Sequence, residues 1–240
     1  MNKHLNQRMA WNHCLTPYNA LVCYFLYKSS NNEVYTNKYI KDEINIMDDS
    51  GYALIKNKNY YFGFFSGCDK SYKWSDGTHQ TGIAGITAIG KKEPLNLILD
   101  MDIADNILVT DLPSFLINGS LEEFYGRGRI EYKENFLEYR KKLRNIHLIR
   151  RYYFENKLIK VRTRIKILNK CNLSCDGLIK LPEFKKGIII KNIKPEARKK
   201  TKIINSNPRG NGKIYLINQI DNRNFKKNEI IYYEYELHFK

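Results

Sequence analysis

Residues 158–168, Leu-Ile-Lys-Val-Arg-Thr-Arg-Ile-Lys-Ile-Leu, carry the strongest structural signal in the chain. Cations occupy every second position, and the positions between them hold β-branched residues. This alternation predicts a half-buried β-strand whose outer face carries four cations: Lys160, Arg162, Arg164 and Lys166. At about 3.3 Å per residue the row is roughly 20 Å long, which suits a linear polyanion better than a small metabolite.

Short apolar runs separated by turn residues recur from Gly51 to the C-terminus. Two hairpins are predicted, one pairing residues 52–56 with 60–65 and the other pairing residues 143–154 with 158–168. The last strand, residues 229–239, alternates tyrosine, leucine and phenylalanine with glutamate and histidine. This spacing predicts an all-β fold, a large antiparallel β-sandwich.

The N-terminal part of the chain has a different pattern. Residues 10–28 are predicted to be helical, and residues 29–50 are polar and turn-rich. We therefore expect a helical segment and linker over residues 1–45 and a β-sandwich domain over residues 46–240. No apolar run approaches the ~18 residues of a membrane span. The localisation is left open, although the absence of a clear signal peptide is typical of a cytoplasmic protein.

Charge is divided unevenly between the two halves of the chain, whose formal net charge is +16. Residues 1–120 carry 11 Lys and Arg against 12 Asp and Glu, whereas residues 121–240 carry 30 against 13. An excess of +17 in the second half favours an acidic partner. The composition is also rich in Lys, Asn, Ile and Tyr, so the alternative is compositional drift on a solvated face.

The cysteine pattern gives no reason to expect a metal or a disulfide framework. The chain has five cysteines, and only Cys171 and Cys175 are closely spaced, as C-x3-C. No second pair with ligand spacing is present, so free thiols are expected. We predict no metal and no cofactor.

Two polar clusters are candidates for catalysis. Trp74, His79 and Gln80 lie in a Gly-containing loop with a neighbouring carboxylate, where His79 could act as an acid or base and Trp74 and Gln80 could bind the substrate. Asn12 and His13 follow a tryptophan and could bind a sugar or polarise a carboxylate. The alternatives are a solvated loop for the first cluster and helix packing with a cap for the second.

Basic segments are candidates for substrate binding. Arg127 and Arg129 alternate with glycines in residues 126–129, where arginine could bind carboxylate or phosphate, although a strand bend is the alternative. Residues 138–144 and 198–202 are basic runs, the first with aromatics nearby. Such a mixture suits stacking on bases or sugar rings, but solvated loops are the more common interpretation.

Residues 48–67, Asp-Asp-Ser-Gly-Tyr-Ala-Leu-Ile-Lys-Asn-Lys-Asn-Tyr-Tyr-Phe-Gly-Phe-Phe-Ser-Gly, resemble the opening hairpin of the β-sandwich in heparinase II/III-like polysaccharide lyases. In that family a helical toroid precedes a "DSGY" strand, a second strand and a His-bearing loop. Residues 79–95 stand where this loop would lie, and residues 147–168 resemble later paired strands. The resemblance covers residues 48 to about 170 and, more loosely, the rest of the chain.

The resemblance implies β-elimination of a uronate polymer, with His79 as the acid/base candidate and with Arg127, Arg129 or the cationic strand holding carboxylates. It also implies that residues 10–28 end a toroid, which could be a separately encoded partner. The chain departs from the family pattern of two histidines and an aspartate, because only His79 is present and Thr81 stands at the acidic position. It is therefore uncertain from the sequence whether the chain is an active enzyme.

Three interpretations remain open at this point. The first is a lyase-type β-sandwich, active or catalytically incomplete, that contacts an acidic polysaccharide. The second is a noncatalytic basic module that binds nucleic acid or another polyanion. The third is purely structural, with Glu234 and Glu236 on a neighbouring strand neutralising the cationic row.

Overall fold

A computed structural model describes residues 42–47, 51–67, 82–89, 94–97, 111–122, 127–182, 188–195, 199–206 and 210–240. The fold over these ranges is all-β, as predicted, and none of the described residues is helical. The strands are β1 Glu43–Met47, β2 Tyr52–Lys56, β3 Tyr60–Phe65, β4 Gly82–Ile89, β5 Pro94–Leu97, β6 Phe115–Ile117, β7 Ser120–Glu122, β8 Arg129–Lys133, β9 Phe136–Lys142, β10 Ile146–Glu155, β11 Leu158–Ile167, β12 Cys171–Cys175, β13 Ile179–Pro182, β14 Ile188–Lys194, β15 Lys199–Ser206, β16 Gly210–Ile217, β17 Ile220–Phe225 and β18 Ile230–Phe239.

The strands form four antiparallel sheets. A five-stranded meander has the order β1-β2-β3-β4-β5, and a six-stranded sheet has the order β14-β18-β11-β10-β9-β8. Smaller sheets have the orders β17-β12-β6-β7 and β13-β16-β15. The cationic strand β11 lies inside the six-stranded sheet, between β10 and β18, so neighbouring strands flank its outer face on both sides.

Both predicted hairpins are present. β2 pairs with β3 around Asn57, whose side-chain oxygen accepts hydrogen bonds from the backbone of Asn59 (2.8 Å) and Tyr60 (3.0 Å). β10 pairs with β11 over ten residues, from Ile146 opposite Ile167 to Glu155 opposite Leu158. The turn of this second hairpin is therefore one residue shorter than predicted, because Glu155 is still part of β10.

The predicted strand over residues 143–154 is wrong in its extent. The chain turns after β9, where the Leu143 amide donates to the Ile146 carbonyl at 2.9 Å, and β10 starts only at Ile146. The basic run of residues 138–144 is accordingly mostly strand rather than a solvated loop. The reason is packing, because Leu137 and Tyr139 are fully buried and alternate with outward-facing charged residues.

Aromatic side chains join the five-stranded and six-stranded sheets into one core. Tyr60 of β3 stacks on Phe239 of β18 with ring centroids 4.4 Å apart. Phe64, also in β3, packs between Tyr139 and Tyr152, with each pair of centroids 5.3 Å apart. Contacts of this kind contribute about 0.5–1.5 kcal/mol each beyond the burial of apolar area. They hold the inner face of the six-stranded sheet and leave its other face to solvent.

A buried ion pair also crosses the core. Arg150 of β10 is fully buried and donates to the carboxylate and to the carbonyl oxygen of Asp111, which itself is only 2% exposed. Arg150 also donates to Thr163 Oγ1 at 2.9 Å and to the Tyr233 hydroxyl at 2.6 Å. Because Asp111 accepts the Ile83 amide at 2.8 Å as well, this cluster connects β4, β10, β11 and β18.

Several predicted features lie outside the described residues. They include the helical segment over residues 10–28 and three of the cysteines. Cys171 and Cys175 are free and buried in β12, as the sequence indicated. Residues 42–240 form one compact unit by their contacts, while the domain boundary expected near residue 45 stays a prediction.

Candidate polyanion-binding site

The outer face of the six-stranded sheet carries the cations that the sequence singled out. In β11 the apolar positions are buried and the four cationic positions are half-buried or exposed. The antiparallel register fixes which side chains stand beside each cation, since directly opposite residues share a face. The register therefore divides this face into rows that run across the strands.

Two of the rows that include a β11 cation also contain carboxylates, and we call them the acid-bearing rows. Lys160 lies opposite Glu236 of β18 and Tyr153 of β10, and Arg162 lies opposite Glu234 and Arg151. Farther across, Arg151 lies opposite Glu138 of β9, which lies opposite Glu131 of β8. Each cation of β11 in these rows thus has a glutamate directly beside it.

Glu234 is the centre of a charge network in these rows. Its carboxylate accepts from Arg162 Nε at 3.1 Å and from the Tyr232 hydroxyl at 2.8 Å, and it lies 3.7 Å from Lys160 Nζ. Burial raises the pKa of Glu234, but Tyr232, Lys160 and Arg162 outweigh it and bring the pKa below its ordinary value. Glu236 lies 3.7 Å from Lys160 as well, so the charge of Lys160 and Arg162 is matched within the sheet.

Glu138 neutralises the next pair of strands in the same way. It is 1% exposed, accepts from Arg151 Nε at 2.6 Å and also binds Arg140. Burial raises the pKa of this carboxyl, but the hydrogen bonds from Arg151 and Arg140 lower it below its ordinary value. Two arginines share one carboxylate here, and part of their positive charge therefore remains uncompensated.

The aromatic residues of the acid-bearing rows are covered by the protein's own arginines. The Arg162 guanidinium lies 5.1 Å from the centroid of the Tyr153 ring, and the Arg151 guanidinium lies 5.3 Å from that of Phe136. These are distances for cation–π contact. The two rings are therefore engaged within the sheet rather than presented for stacking on a base or a sugar.

The other two rows that include a β11 cation hold no acid. One runs from Ile230 through Lys166 and His147 to Lys142, and the other runs from Tyr232 through Arg164, Ile149 and Arg140 to Arg129. We call the basic residues of these two rows the cationic patch: Arg129, Arg140, Lys142, His147, Arg164 and Lys166. From β8 to β11 the patch spans three strand spacings, or about 14 Å.

The positive charges of this patch affect the pKa of His147. Burial lowers its pKa first, and then Arg140, Lys142, Lys166 and Arg164 lower it further, so the pKa lies below the ordinary value of 6.5. The imidazole is consequently neutral at pH 7. Among the described residues, no carboxylate lies within 4.0 Å of Lys142, Arg164 or Lys166, and an anionic ligand would meet these cations without displacing an internal partner.

Of the predicted substrate-binding residues, Arg129, Arg164 and Lys166 come together in the cationic patch. Lys160 and Arg162 lie on the same face but have internal carboxylate partners. Arg127 lies beside the sheet, where its carbonyl accepts from Lys141 at 2.9 Å. The other predicted site residues lie outside the described ranges: Asn12, His13, Trp74, His79 and Gln80.

The glycine of the Arg-Gly-Arg segment has a packing role. A Cβ on Gly128 would clash with the ring of Tyr139, and the Gly128 amide donates to the Ser66 carbonyl at 2.8 Å. The close approach of backbone and ring therefore explains the glycine without a ligand.

Sequence reasoning placed Arg140 and Lys142 in a basic run that is a candidate for ligand binding, but it did not align them with β11, and it missed His147. The signal was present, since Glu138, Arg140 and Lys142 alternate with Leu137 and Tyr139 in the manner of a strand. The interpretation of this run as a loop hid its alignment with β11. Tyr232, 49% exposed beside Arg164, was missed because its role depends on cross-strand register.

Comparison with solved structures shows a shared fold. The structure of heparan sulfate lyase HepC from Pedobacter heparinus matches 98% of this chain with a TM-score of 0.52 and 11% identity, and a HepC mutant matches 97% with a TM-score of 0.55 and 10% identity. The heparinase III BT4657 gene product matches 99% with a TM-score of 0.56 and 12% identity. No protein-family model and no curated protein matches the sequence.

The likeness is one of fold, over part of those enzymes. The chain spans 41% of the length of each of these structures, so the shared fold covers less than half of each enzyme. The described residues include no group of three or more His, Cys, Asp or Glu side chains that could hold a metal ion. Within the same ranges there is no helix with the length and hydropathy to cross a membrane.

Proposed function

We propose that this β-sandwich binds an acidic, uronate-containing polysaccharide through the cationic patch. The observation that carries the proposal is that, among the described residues, Lys142, Arg164 and Lys166 have no carboxylate within 4.0 Å, whereas Lys160 and Arg162 on the same face have glutamate partners. A polymer with regularly spaced carboxylates or sulfates offers several anions at once, and exposed cations on rigid strands can bind them together. The shared fold with heparan sulfate and heparin lyases supports this class of ligand.

The direction of binding differs from the one that the sequence predicted. A track along β11 would pass from Lys166 to Lys160 and meet Glu234 and Glu236 halfway. The patch instead runs across β11, β10, β9 and β8. We propose that the polymer crosses the strands, because only that path avoids the glutamates.

We further propose that the domain acts as part of a polysaccharide lyase. β-Elimination requires a base beside the uronate carboxylate and a cation or amide to stabilise the enolate. His79 is the candidate acid or base, with Asn12 and His13 as further candidates from the sequence. A separately encoded helical toroid is the proposed partner that would complete the site.

The experiment is a binding and cleavage panel with the full chain. Heparan sulfate, heparin, chondroitin sulfate, hyaluronan and alginate are tested for retention in low salt, and the ultraviolet absorbance of unsaturated uronate products is followed. We expect salt-dependent binding of at least one glycan. Absence of both binding and product over the whole panel would overturn the proposal.

Single-stranded and double-stranded nucleic acids serve as the comparison ligands in the same panel. A nucleic-acid module would bind them in a salt-dependent, sequence-tolerant way. Because Arg151 and Arg162 cover the rings of Phe136 and Tyr153, we expect weaker binding of single strands than of the preferred glycan. Tighter binding of nucleic acid than of every acidic glycan would favour the alternative.

A further inference from the structure

A groove adjoins the cationic patch where β18 is no longer paired with β14. β14 pairs with β18 from Ile188 opposite Phe239 to Lys194 opposite Glu234. Toward Ile230, β18 extends beyond this pairing, and a groove of about 400 Å³ opens there. We call it the β18 groove, and its lining includes Pro195, Asn218, Arg223, Phe225, Ile230 and Tyr232.

Tyr232 connects the groove with the patch. It lines the groove and stands directly opposite Arg164, and its side chain is 49% exposed. Its hydroxyl donates to Glu234 at 2.8 Å. Unlike Phe136 and Tyr153, Tyr232 is an aromatic residue of the outer face with no arginine stacked on it among the described cation–π contacts.

Arg223 brings a positive charge to the same groove. Its guanidinium lies 4.5 Å from the centroid of the Phe225 ring, which supports it from one side. The side chain is 65% exposed, and its nearest carboxylate, that of Glu229, is 3.9 Å away. A long, exposed pair of this kind contributes little, so Arg223 is available to an anionic group of a ligand.

We infer that the β18 groove is a sugar-binding subsite for the same acidic polysaccharide that crosses the cationic patch. The inference rests on the proposed function and adds a site to it. In this arrangement one sugar ring lies on Tyr232, and Arg223 binds the carboxylate or sulfate of that sugar or of its neighbour. The groove volume falls within the roughly 300–1,000 Å³ of small-ligand sites.

Continuity of the two surfaces supports a single extended ligand. From Arg129 through Arg140 and Arg164 to Tyr232, four strand spacings cover about 19 Å along one line across the sheet. A short oligosaccharide can be held by the patch alone, whereas a longer one reaches the groove. The groove therefore makes the affinity for an oligosaccharide increase with its length through a stacking contact. The patch alone would increase the affinity with length only through additional ionic contacts.

The test is calorimetric titration of wild type and Tyr232→Ala with size-defined short and long oligosaccharides of the glycan preferred in the panel. We expect Tyr232→Ala to weaken binding of the long oligosaccharide about fivefold to tenfold, as for loss of one stacking contact. Binding of the short oligosaccharide and the slope against salt concentration should stay as in wild type. Arg223→Gln should instead reduce the salt slope for the long oligosaccharide only.

Two variants serve as matched controls. Tyr232→Phe keeps the ring and should bind within about twofold of wild type, and Tyr153→Ala removes an outer-face ring that Arg162 already covers and should also have little effect. Equal affinities of wild type and Tyr232→Ala for the long oligosaccharide would overturn the proposal that the groove is a subsite. They would not contradict binding at the cationic patch. Failure of wild type to bind any acidic glycan would overturn both.

Discussion

Replacing Asp111 by asparagine should remove about 3–5 kcal/mol from the free energy of unfolding. Among the described residues, Asp111 provides the only carboxylate that accepts a hydrogen bond from Arg150. Without it, a guanidinium that is 0% exposed keeps its charge and has neutral partners alone. Leaving a buried charge uncompensated costs roughly 3–5 kcal/mol, a large share of the 5–15 kcal/mol of a typical domain.

The measurement is urea unfolding followed by circular dichroism, with the midpoint and slope fitted for each variant. Glu131→Gln is the matched control, since it also removes a carboxylate from an ion pair, in this case an exposed one 3.1 Å from Lys133. We expect the control to change stability by less than about 1 kcal/mol.

A double-mutant cycle separates the charge effect from general damage to the core. Arg150→Met should also be strongly destabilising, whereas the combined Asp111→Asn and Arg150→Met variant should cost clearly less than the sum of the single changes. The reason is that the double variant buries no unpaired charge. A loss below about 1 kcal/mol for Asp111→Asn, or strict additivity in the cycle, would refute the reasoning.

Three further predictions follow from individual sites. Gly128→Ala should lower the urea midpoint by the equivalent of about 1–3 kcal/mol, because its Cβ would meet the buried Tyr139 ring; an unchanged midpoint would show that the ring can move. Glu138 and Glu234 have lowered pKa values in the folded state, so their stabilisation is present above the ordinary value of 4.5 and is lost as the pH falls below it. Urea midpoints measured from pH 6 to pH 3 should therefore fall, with a flatter fall in Glu234→Gln, and a pH-independent midpoint would contradict this. A bound polyanion should raise the pKa of His147, so glycan affinity should increase from pH 7.5 to pH 5.5 in wild type and stay flat in His147→Gln; equal pH profiles would contradict it.

The fold could be predicted for strands whose own sequence alternates between inward-facing and outward-facing residues. The strict alternation in β11 and in the last half of β18 identified both strands, their inward faces and the antiparallel sheet. Short or polar strands such as β6, β7 and β17 were not predicted. β17, for example, buries only Phe225 fully and is otherwise exposed or half-buried, so its strand conformation depends on pairing with β12 rather than on its own sequence.

The site could be predicted only in part, because it is a property of register. The sequence identified the four cations of β11 and named Glu234 and Glu236 as acids that could neutralise them. It could not show that these glutamates stand opposite Lys160 and Arg162, or that Arg164 and Lys166 face tyrosine and isoleucine instead. A shift of one residue in the pairing would turn each side chain to the other face, and nothing in a single sequence fixes that pairing for strands more than sixty residues apart.

The buried ion pair illustrates the same point for the core. Asp111 and Arg150 read as ordinary charged residues in the sequence, and period-two alternation even places Arg150 on the inner face of β10 as an apparent exception. Only the folded arrangement brings together the oxygens that satisfy its donors: those of Asp111, Thr163 and Tyr233. A buried charge of this kind requires complete pairing.

The central claim, that an acidic glycan binds the acid-free rows, is tested most directly by two variants that each remove two cations of β11. Arg164→Gln with Lys166→Gln should weaken binding about tenfold or more and reduce the slope of log affinity against log salt concentration by about one to two. A charge-balanced variant that replaces Lys160, Arg162, Glu234 and Glu236 by glutamine should stay within about twofold of wild type. Equal losses in the two variants, or the greater loss in the charge-balanced one, would contradict the account.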